Sequence, residues 1–339
     1  MSRSRIWPQA CMRILGQAAG TLIVGAALVL LSASAWGAAE PMATFSIVGF
    51  DPETQDLGVA VQSKFFAVGS VVPWAEAGVG AIASQAFGNT TFGPRGLALL
   101  SDGLSVEEVL AKLLEDDPDR EQRQVGIVDA EGRSAAFTGN ECLFWAGDTT
   151  GANFAAQGNI LVDRETVAAM ARAFEETDGI LGERLMRAIE AGQAAGGDSR
   201  GVQSAAIVIV REGGGYGGFN DRYCDLRVDD HEDPIGELRR LFDMWKEHAL
   251  ILEGYRLCDA EDFEGAIGLG REAIELSPES AEPHYHLGCY LSRAGEYEKA
   301  LAQIVTALEM DPSLKPWARE DPDLEPLREE PEFRRITAE

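Results

Sequence analysis

A 34-residue internal period near the C-terminus constrains this chain more than any other feature. Shifting the tail against itself by 34 positions lays Gly254 on Gly288, Ala266 on Ala300, Ala273 on Ala307 and Pro278 on Pro312. Larger side chains follow the same offset: Tyr255 with Cys289, Phe263 with Tyr297, Ile267 with Leu301 and Ile274 with Leu308. Small residues at these offsets let the two helices of a hairpin approach closely, and the proline stops the second helix before the next unit begins. A unit of this kind cannot bury its apolar face alone, so consecutive units stack. Chemistry carried by the chain is therefore expected in the larger region before about residue 248.

The period and the residues that fill it resemble the tetratricopeptide repeat, with two repeats from about 247 to 312. Trp317-Ala318-Arg319, Asp321-Pro322-Asp323-Leu324 and Pro331-Glu332-Phe333 read as a shortened helix pair that caps the stack, giving an all-α module over 247–339. The resemblance implies a concave face for a protein partner; a stabilising or homo-oligomer-forming appendage is the other reading. Pro234 to His248 contains no Gly/Ser/Pro-rich spacer, so the module is expected to sit rigidly on the domain before it.

The chain has 339 residues, 45% of them hydrophobic, enough for two domains. Its 29 Lys and Arg against 56 Asp and Glu leave a formal charge of -27, which repels phosphate backbones and anionic lipid, so no nucleic-acid partner is expected. Arg3, Arg5 and Arg13 precede an apolar run from Thr21 to Leu31 that ends in Ser32-Ala33-Ser34-Ala35. This is the pattern of an export signal over residues 1–39, cleaved after Ala35 or Ala39, and it places the protein in the periplasm or outside the cell. The apolar run is short for a membrane-spanning helix. Of five cysteines, Cys11 lies in that segment, and Cys142, Cys224, Cys258 and Cys289 lack metal-ligand spacing. Cys142 and Cys224 are the only pair within the first domain, where free buried thiols are expected over a bridge.

From Thr44 the sequence alternates with period two, turns at Asp51-Pro52-Glu53-Thr54-Gln55-Asp56 and returns over Gly58 to Ser63, a β-hairpin. Further strands are expected at Val79–Gln85, Gln124–Asp129, Ser134–Thr138, Gln203–Arg211 and Tyr223–Val228. Helices are expected after Ser105, which with Glu108 forms a capping box, at Arg164–Thr177 and Leu181–Gln193, and from Pro234 onward. Hairpin-linked strands in groups, with helices between the groups, predict an α+β domain of antiparallel sheets covered by helices over residues 44–245.

The only histidine before residue 248 is His231, and GxSxG, HExxH, Walker and Cys-x-x-Cys patterns do not occur. The cluster Gly213 to Gly218 is followed by a strand rather than a helix and reads as a hairpin connection, not a phosphate loop. Asp229-Asp230-His231-Glu232-Asp233 offers donors for a divalent cation, but acids ahead of Pro234 also suit a helix N-terminus, and no second ligand cluster completes a site. No metal or cofactor is expected.

Thr44 heads the first strand close behind the export segment. If processing exposes it, its own α-amine, with an ordinary pKa of about 7.7–8.0, is a base beside its hydroxyl. One residue then supplies nucleophile and base without a histidine. If Phe50 faces Leu57 across the turn, Thr44 faces Ser63 and Lys64 lies one residue beyond; a slip of one residue would bring Gln62 or Lys64 opposite instead.

Thr44-Phe45-Ser46-Ile47-Val48, Gly58 to Lys64, Arg123-Gln124-Val125-Gly126, Gln157-Gly158-Asn159-Ile160-Leu161, Gly196 to Ala206 and Leu226 to His231 resemble the signature stretches of a bacterial family, domain of unknown function 1028. That family resembles the N-terminal nucleophile (Ntn) hydrolases, which implies a four-layer αββα sandwich and hydrolysis of an amide bond. The resemblance puts the nucleophile at Thr44. By general Ntn logic Ser63 and Lys64 tune its amine, Gln85 or Asn159 donates to an oxyanion, and Asp198 orients the amino terminus. Arg200, Gln203 and Ser204, with Gln85, are candidate contacts to substrate. Residues 40–43, Glu-Pro-Met-Ala, would still block the amine after cleavage at Ala39, and a longer stretch after cleavage at Ala35, which leaves three readings: self-cleavage at Ala43-Thr44, signal cleavage directly there despite Pro41, or an inactive descendant of the fold. The leading expectation is an exported hydrolase of a small amide, ureido or peptide-like substrate. A non-catalytic binding protein on the same fold is the alternative, and a metal-dependent hydrolase using His231 a third reading.

Overall fold

Residues 44–338 are described by a computed structural model, and the expected export segment lies outside them. The first strand, β1 (Thr44–Phe50), pairs with β2 (Leu57–Ser63) in the anticipated register, Thr44 opposite Ser63 and Phe50 opposite Leu57. On its other side β1 pairs with β8 (Phe154–Leu161), which puts Asn159 opposite Thr44. With β7 (Trp145–Gly151), β9 (Ser204–Val210) and β10 (Arg222–Val228), these make a six-stranded antiparallel sheet of order β10-β9-β2-β1-β8-β7. A second sheet of order β3-β4-β5-β6 comprises β3 (Pro73–Glu76), β4 (Gly80–Ala86), β5 (Arg123–Asp129) and β6 (Ser134–Thr138).

Period-two alternation divides the core of this domain into three clusters. Val48, Phe50, Val59, Val61, Ala81, Ala83 and Val128 meet between the sheets. Phe45 and Ile47, on the opposite face of β1, pack with Met170 and Phe174 of α3 (Glu165–Glu176) and with Leu185 and Ile189 of α4 (Leu181–Ala194). Ile82, Val125 and Ile127, on the outer face of the smaller sheet, pack with Leu97 of α1 (Phe92–Ser101) and with Val109 and Leu113 of α2 (Val106–Glu115). The expected capping box opens α2: Ser105 Oγ accepts from Glu108 N at 3.3 Å and Glu108 Oε2 accepts from Ser105 N at 2.9 Å.

Four elements depart from the sequence expectation. Pro94 and two glycines hide the helical period of α1, and β3 is a four-residue edge strand beginning at a proline. β7 is diluted by Ala146, Gly147, Asp148 and Gly151, and β8 by Ala155, Ala156, Gln157, Gly158 and Asn159, which leaves few of the β-branched residues that usually announce strands.

The helical module begins inside α5 (Pro234–Asp259), whose N-terminus is capped by Asp233 accepting from Gly236 N at 3.1 Å. Ile235, Leu238 and Phe242 of this helix belong to the core of the first domain, and Cys258 at its far end belongs to the core of the module. Trp245, at mid-helix, donates to Tyr223 O at 3.1 Å and stacks edge-on against that ring. The two domains thus share one 26-residue helix, with no spacer between them. It pairs with α6 (Phe263–Leu276), and α7 (Ala281–Arg293) pairs with α8 (Tyr297–Met310), before α9 (Lys315–Glu320) and α10 (Pro331–Thr337) close the stack. The repeat glycine earns its place by close approach: a Cβ on Gly254 would lie 2.6 Å from the Tyr290 ring, whose hydroxyl donates to Ile251 O at 2.6 Å. Cys142, Cys224, Cys258 and Cys289 are all free thiols. Among the described residues no helix is long and apolar enough to cross a membrane.

Candidate active site

The space between the two sheets is apolar at one end and amide-rich at the other. At the second end Thr44, Ser46, Ser63, Gln85, Gln124, Gln157 and Asn159 are all fully or almost fully buried. Burying so many polar groups is costly unless each finds a partner. Their hydrogen bonds form one connected web.

Thr44 Oγ1 donates to Ser63 Oγ at 3.1 Å, across the hairpin register. Gln85 reaches over from β4, and its Nε2 donates to Thr44 O at 3.2 Å and to Gln124 Oε1 at 2.8 Å. Asn159 Nδ2 donates to the same Gln124 oxygen at 2.9 Å, while Gln124 Nε2 donates to Gly158 O at 2.8 Å and to Thr138 Oγ1 at 2.9 Å. Ser46 donates to Gln85 Oε1 at 2.6 Å and accepts from Gln157 Nε2 at 2.7 Å. Gln157 crosses directly over Gly126, where a Cβ would stand 2.0 Å from Gln157 Oε1. Gln124 is thus the hub that joins Gln85, itself bonded to Thr44 O, to Asn159 and Gly158 of β8 in the facing sheet.

An ion pair braces the hub from outside. Arg123, one residue before Gln124, donates to Asp117 Oδ2 at 2.9 Å and to Phe87 O at 2.5 Å. Burial pushes the Asp117 carboxyl up, but hydrogen bonds from Arg123, Asn89 and the Asp119 amide outweigh it and hold the group down at about 2.

The remaining expected residues lie beside the end of β2 and the start of β9. Asp198 accepts from Lys64 N at 2.8 Å and from Arg200 N at 2.9 Å and pairs with the Arg200 guanidinium at 3.3 Å, while Arg200 Nη2 also donates to Lys64 O at 3.0 Å. Lys64 Nζ donates to Val202 O at 3.1 Å. These three residues therefore fasten the end of β2 to the glycine-rich turn before β9. Ser204 accepts from Val68 N at 3.1 Å and donates to Phe65 O at 2.5 Å, which secures the segment after Lys64. Gln203 is drawn outward to Asp230 Oδ1 at 3.0 Å.

The acidic run before α5 is occupied in local structure, since His231 Nδ1 accepts from Asp233 N at 3.0 Å and Asp233 caps the helix. Among the described residues the one group with metal-ligand spacing is Cys289, Asp321 and Asp323 in the helical module. There Asp321 Oδ2 already accepts from the Tyr285 hydroxyl at 2.8 Å.

Thr44, Ser63, Gln85 and Asn159 thus converge, Lys64, Asp198 and Arg200 fasten one another beside the end of β2, and Gln203 points away. Sequence reasoning assigned no role to Ser46, Gln124, Gln157 or Thr138. Their signal was present as polar residues recurring at period two, Thr44 and Ser46 in one strand and Gln157 and Asn159 in another, on the face that is otherwise apolar.

Residues 44–238 match the model of a family of unknown function, DUF1028, and residues 269–302 match a tetratricopeptide repeat. No curated protein matches the chain. Among solved structures, the DUF1028 protein SPO2555 from Silicibacter pomeroyi shares 33% sequence identity with a TM-score of 0.55, over 60% of this chain and 88% of that one. With more than half of its length matched, and its central strands carrying the matched stretches, the chain belongs to the DUF1028 family and carries a C-terminal tetratricopeptide module.

Proposed function

We propose that the protein is an exported amide hydrolase of the Ntn type, with Thr44 as nucleophile and its own α-amine as base. The observation that carries this reading is the seat of Thr44: the first residue of a central strand, between two sheets each covered by helices, its hydroxyl 3.1 Å from Ser63 Oγ and flanked in register by Asn159. That order of layers supports the four-layer αββα arrangement.

The chemistry follows from the placement. Once the chain is cut before Thr44, the α-amine takes the Oγ1 proton as the oxygen attacks the substrate carbonyl, and returns it to the leaving amine. Ser63 fixes the hydroxyl. Asn159 Nδ2, opposite Thr44 in register, is the oxyanion donor, and Gln85, bonded to Thr44 O, positions the nucleophile's backbone. Lys64, Asp198 and Arg200 shape the mouth, where the Arg200 guanidinium, partly exposed, suits a carboxylate or ureido oxygen on the substrate. A water then releases the acyl group from Thr44. The tetratricopeptide repeat, a protein-interaction module, rides rigidly on this domain through α5.

The test is the N-terminus of the protein matured in its own host, read by intact mass, together with a screen of small amides and ureido compounds. A chain beginning at Thr44, whose amidase activity disappears in Thr44→Ala, is expected. A stable, mature chain beginning at Trp36 or Glu40 refutes the mechanism and favours a binding protein on the same fold.

A further inference from the structure

The helical module carries two cavities that meet at Glu282, one of about 570 Å³ between α7 and the capping segment and one of about 610 Å³ between α5 and the loop before α7. The first is lined by Tyr285 and His286 on α7, by Trp317 on α9, and by Glu282, Glu320 and Asp321. The second adds Glu247 and Glu279. Five carboxylates therefore line one continuous strip, and neither cavity has a Lys or Arg in its wall.

Two features separate this strip from an ordinary acidic surface. Trp317 leaves 73% of its surface exposed at the rim of the first cavity, although it stands in a module that buries aromatics such as Tyr285 and Tyr290 almost completely. An exposed indole beside carboxylates is the arrangement that receives a guanidinium or ammonium, through the ring face and the charge together. In the first cavity His286 adds no opposing charge, because burial holds it down to about 4 and the ring is neutral at ordinary pH; His248 is the one other histidine of the two walls, in the second cavity. The His286 Nδ1 is engaged by the Tyr255 hydroxyl at 2.8 Å.

We propose that this strip is a docking groove for an extended Arg- or Lys-bearing polypeptide, with one cationic side chain seated between Trp317 and the Glu282 and Glu320 carboxylates. Charge complementarity selects a basic occupant, and the junction of two cavities at Glu282 selects an elongated one over a small free cation. The site lies in the module, outside the residues assigned to hydrolysis, so it stands or falls independently of that reading.

The full chain is titrated against a short fluorescein-labelled peptide of alternating Arg and Gly, and against the matching Glu and Gly peptide, by fluorescence anisotropy near physiological salt. Saturable binding of the basic peptide alone is expected. Trp317→Ala should weaken it about fivefold or more, and Glu282→Gln with Glu320→Gln about tenfold or more. Because a chain of charge -27 attracts any polycation, Glu107→Gln with Glu115→Gln on exposed α2 serves as the control and should stay within about twofold. The peptide should also perturb tryptophan fluorescence in the wild type and not in Trp317→Ala. Absence of saturable binding, equal binding of the acidic peptide, or equal weakening by the control pair overturns the proposal.

Discussion

Replacing Gln124 with methionine keeps the length of the side chain and removes every polar contact at the hub. Asn159 Nδ2 then loses Gln124 Oε1, its acceptor at 2.9 Å, inside a region with almost no solvent access. A buried donor left unsatisfied costs about 1–3 kcal/mol. Gln85 Nε2 loses its 2.8 Å bond but keeps Thr44 O, and Gly158 O and Thr138 Oγ1 lose a donor each. Ordinary net bond losses of about 0.5–1.5 kcal/mol apply to these, offset in part by the better transfer of a thioether into the core, so the whole change should cost about 2–5 kcal/mol. Urea unfolding followed by circular dichroism reads this as a lower midpoint for the first domain. The decisive arm is Gln124→Met combined with Asn159→Leu, which removes donor and acceptor together. If the cost of the single variant arises from the stranded Asn159 amide, the double variant recovers at least about 1 kcal/mol relative to the sum of the two single changes. A single variant within about 0.5 kcal/mol of wild type, or costs that add without coupling, would refute the view of Gln124 as the hub.

Three further outcomes are expected. Gly126→Ala places a Cβ 2.0 Å from Gln157 Oε1 and should destabilise the domain by about 1–3 kcal/mol in a thermal melt, with Gln157→Ala in the same chain restoring most of the loss. Thr44→Ala removes one hydrogen bond to Ser63 and should cost only about 1 kcal/mol while abolishing amide hydrolysis, a separation of stability from activity read by melting and by turnover on the same sample. Asp117 is held at about 2 in the folded chain against an ordinary 3.8, so its contribution of about 2 kcal/mol is full above about pH 4 and is lost as pH falls through about 2. Asp117→Asn should therefore be less stable than wild type at neutral pH, with the two melting temperatures converging as the solution is acidified; a constant gap would refute the assignment.

The sequence exposed most where one physical pattern dominated. The β1–β2 register followed from turn arithmetic because a slip of one residue would turn every apolar residue to the wrong face, and the repeat offset marked Gly254 and Gly288 as small positions, which the structure fills with the close approach of Tyr290 and Ile304. The ties around Lys64 were harder. Lys64 N and Asp198 Oδ2 meet across 134 residues of sequence, which no local pattern encodes. Gln124 was invisible as a hub because its importance lies in bonding across two sheets, and a strand's own periodicity says nothing about the sheet stacked on it.

The amide web bears on what this end of the domain is for. Two sheets can be joined by apolar side chains alone, as they are at the far end by Val, Ala, Phe50 and Leu57, and there the burial itself stabilises. A web of buried amides adds little net free energy over such packing, and each member that loses its partner is penalised. What the web does supply is position: two strand neighbours and one facing sheet hold the Thr44 backbone and hydroxyl in one orientation. Preorganisation of that kind is needed where a hydroxyl must meet a carbonyl at a set angle, and it has no evident use under an ordinary strand residue. The same argument separates the two readings of the domain by experiment. If Thr44 is catalytic, Gln124→Met at a temperature where it remains folded should lower turnover far more than substrate affinity; if the domain only binds, affinity should fall and no turnover exists to lose.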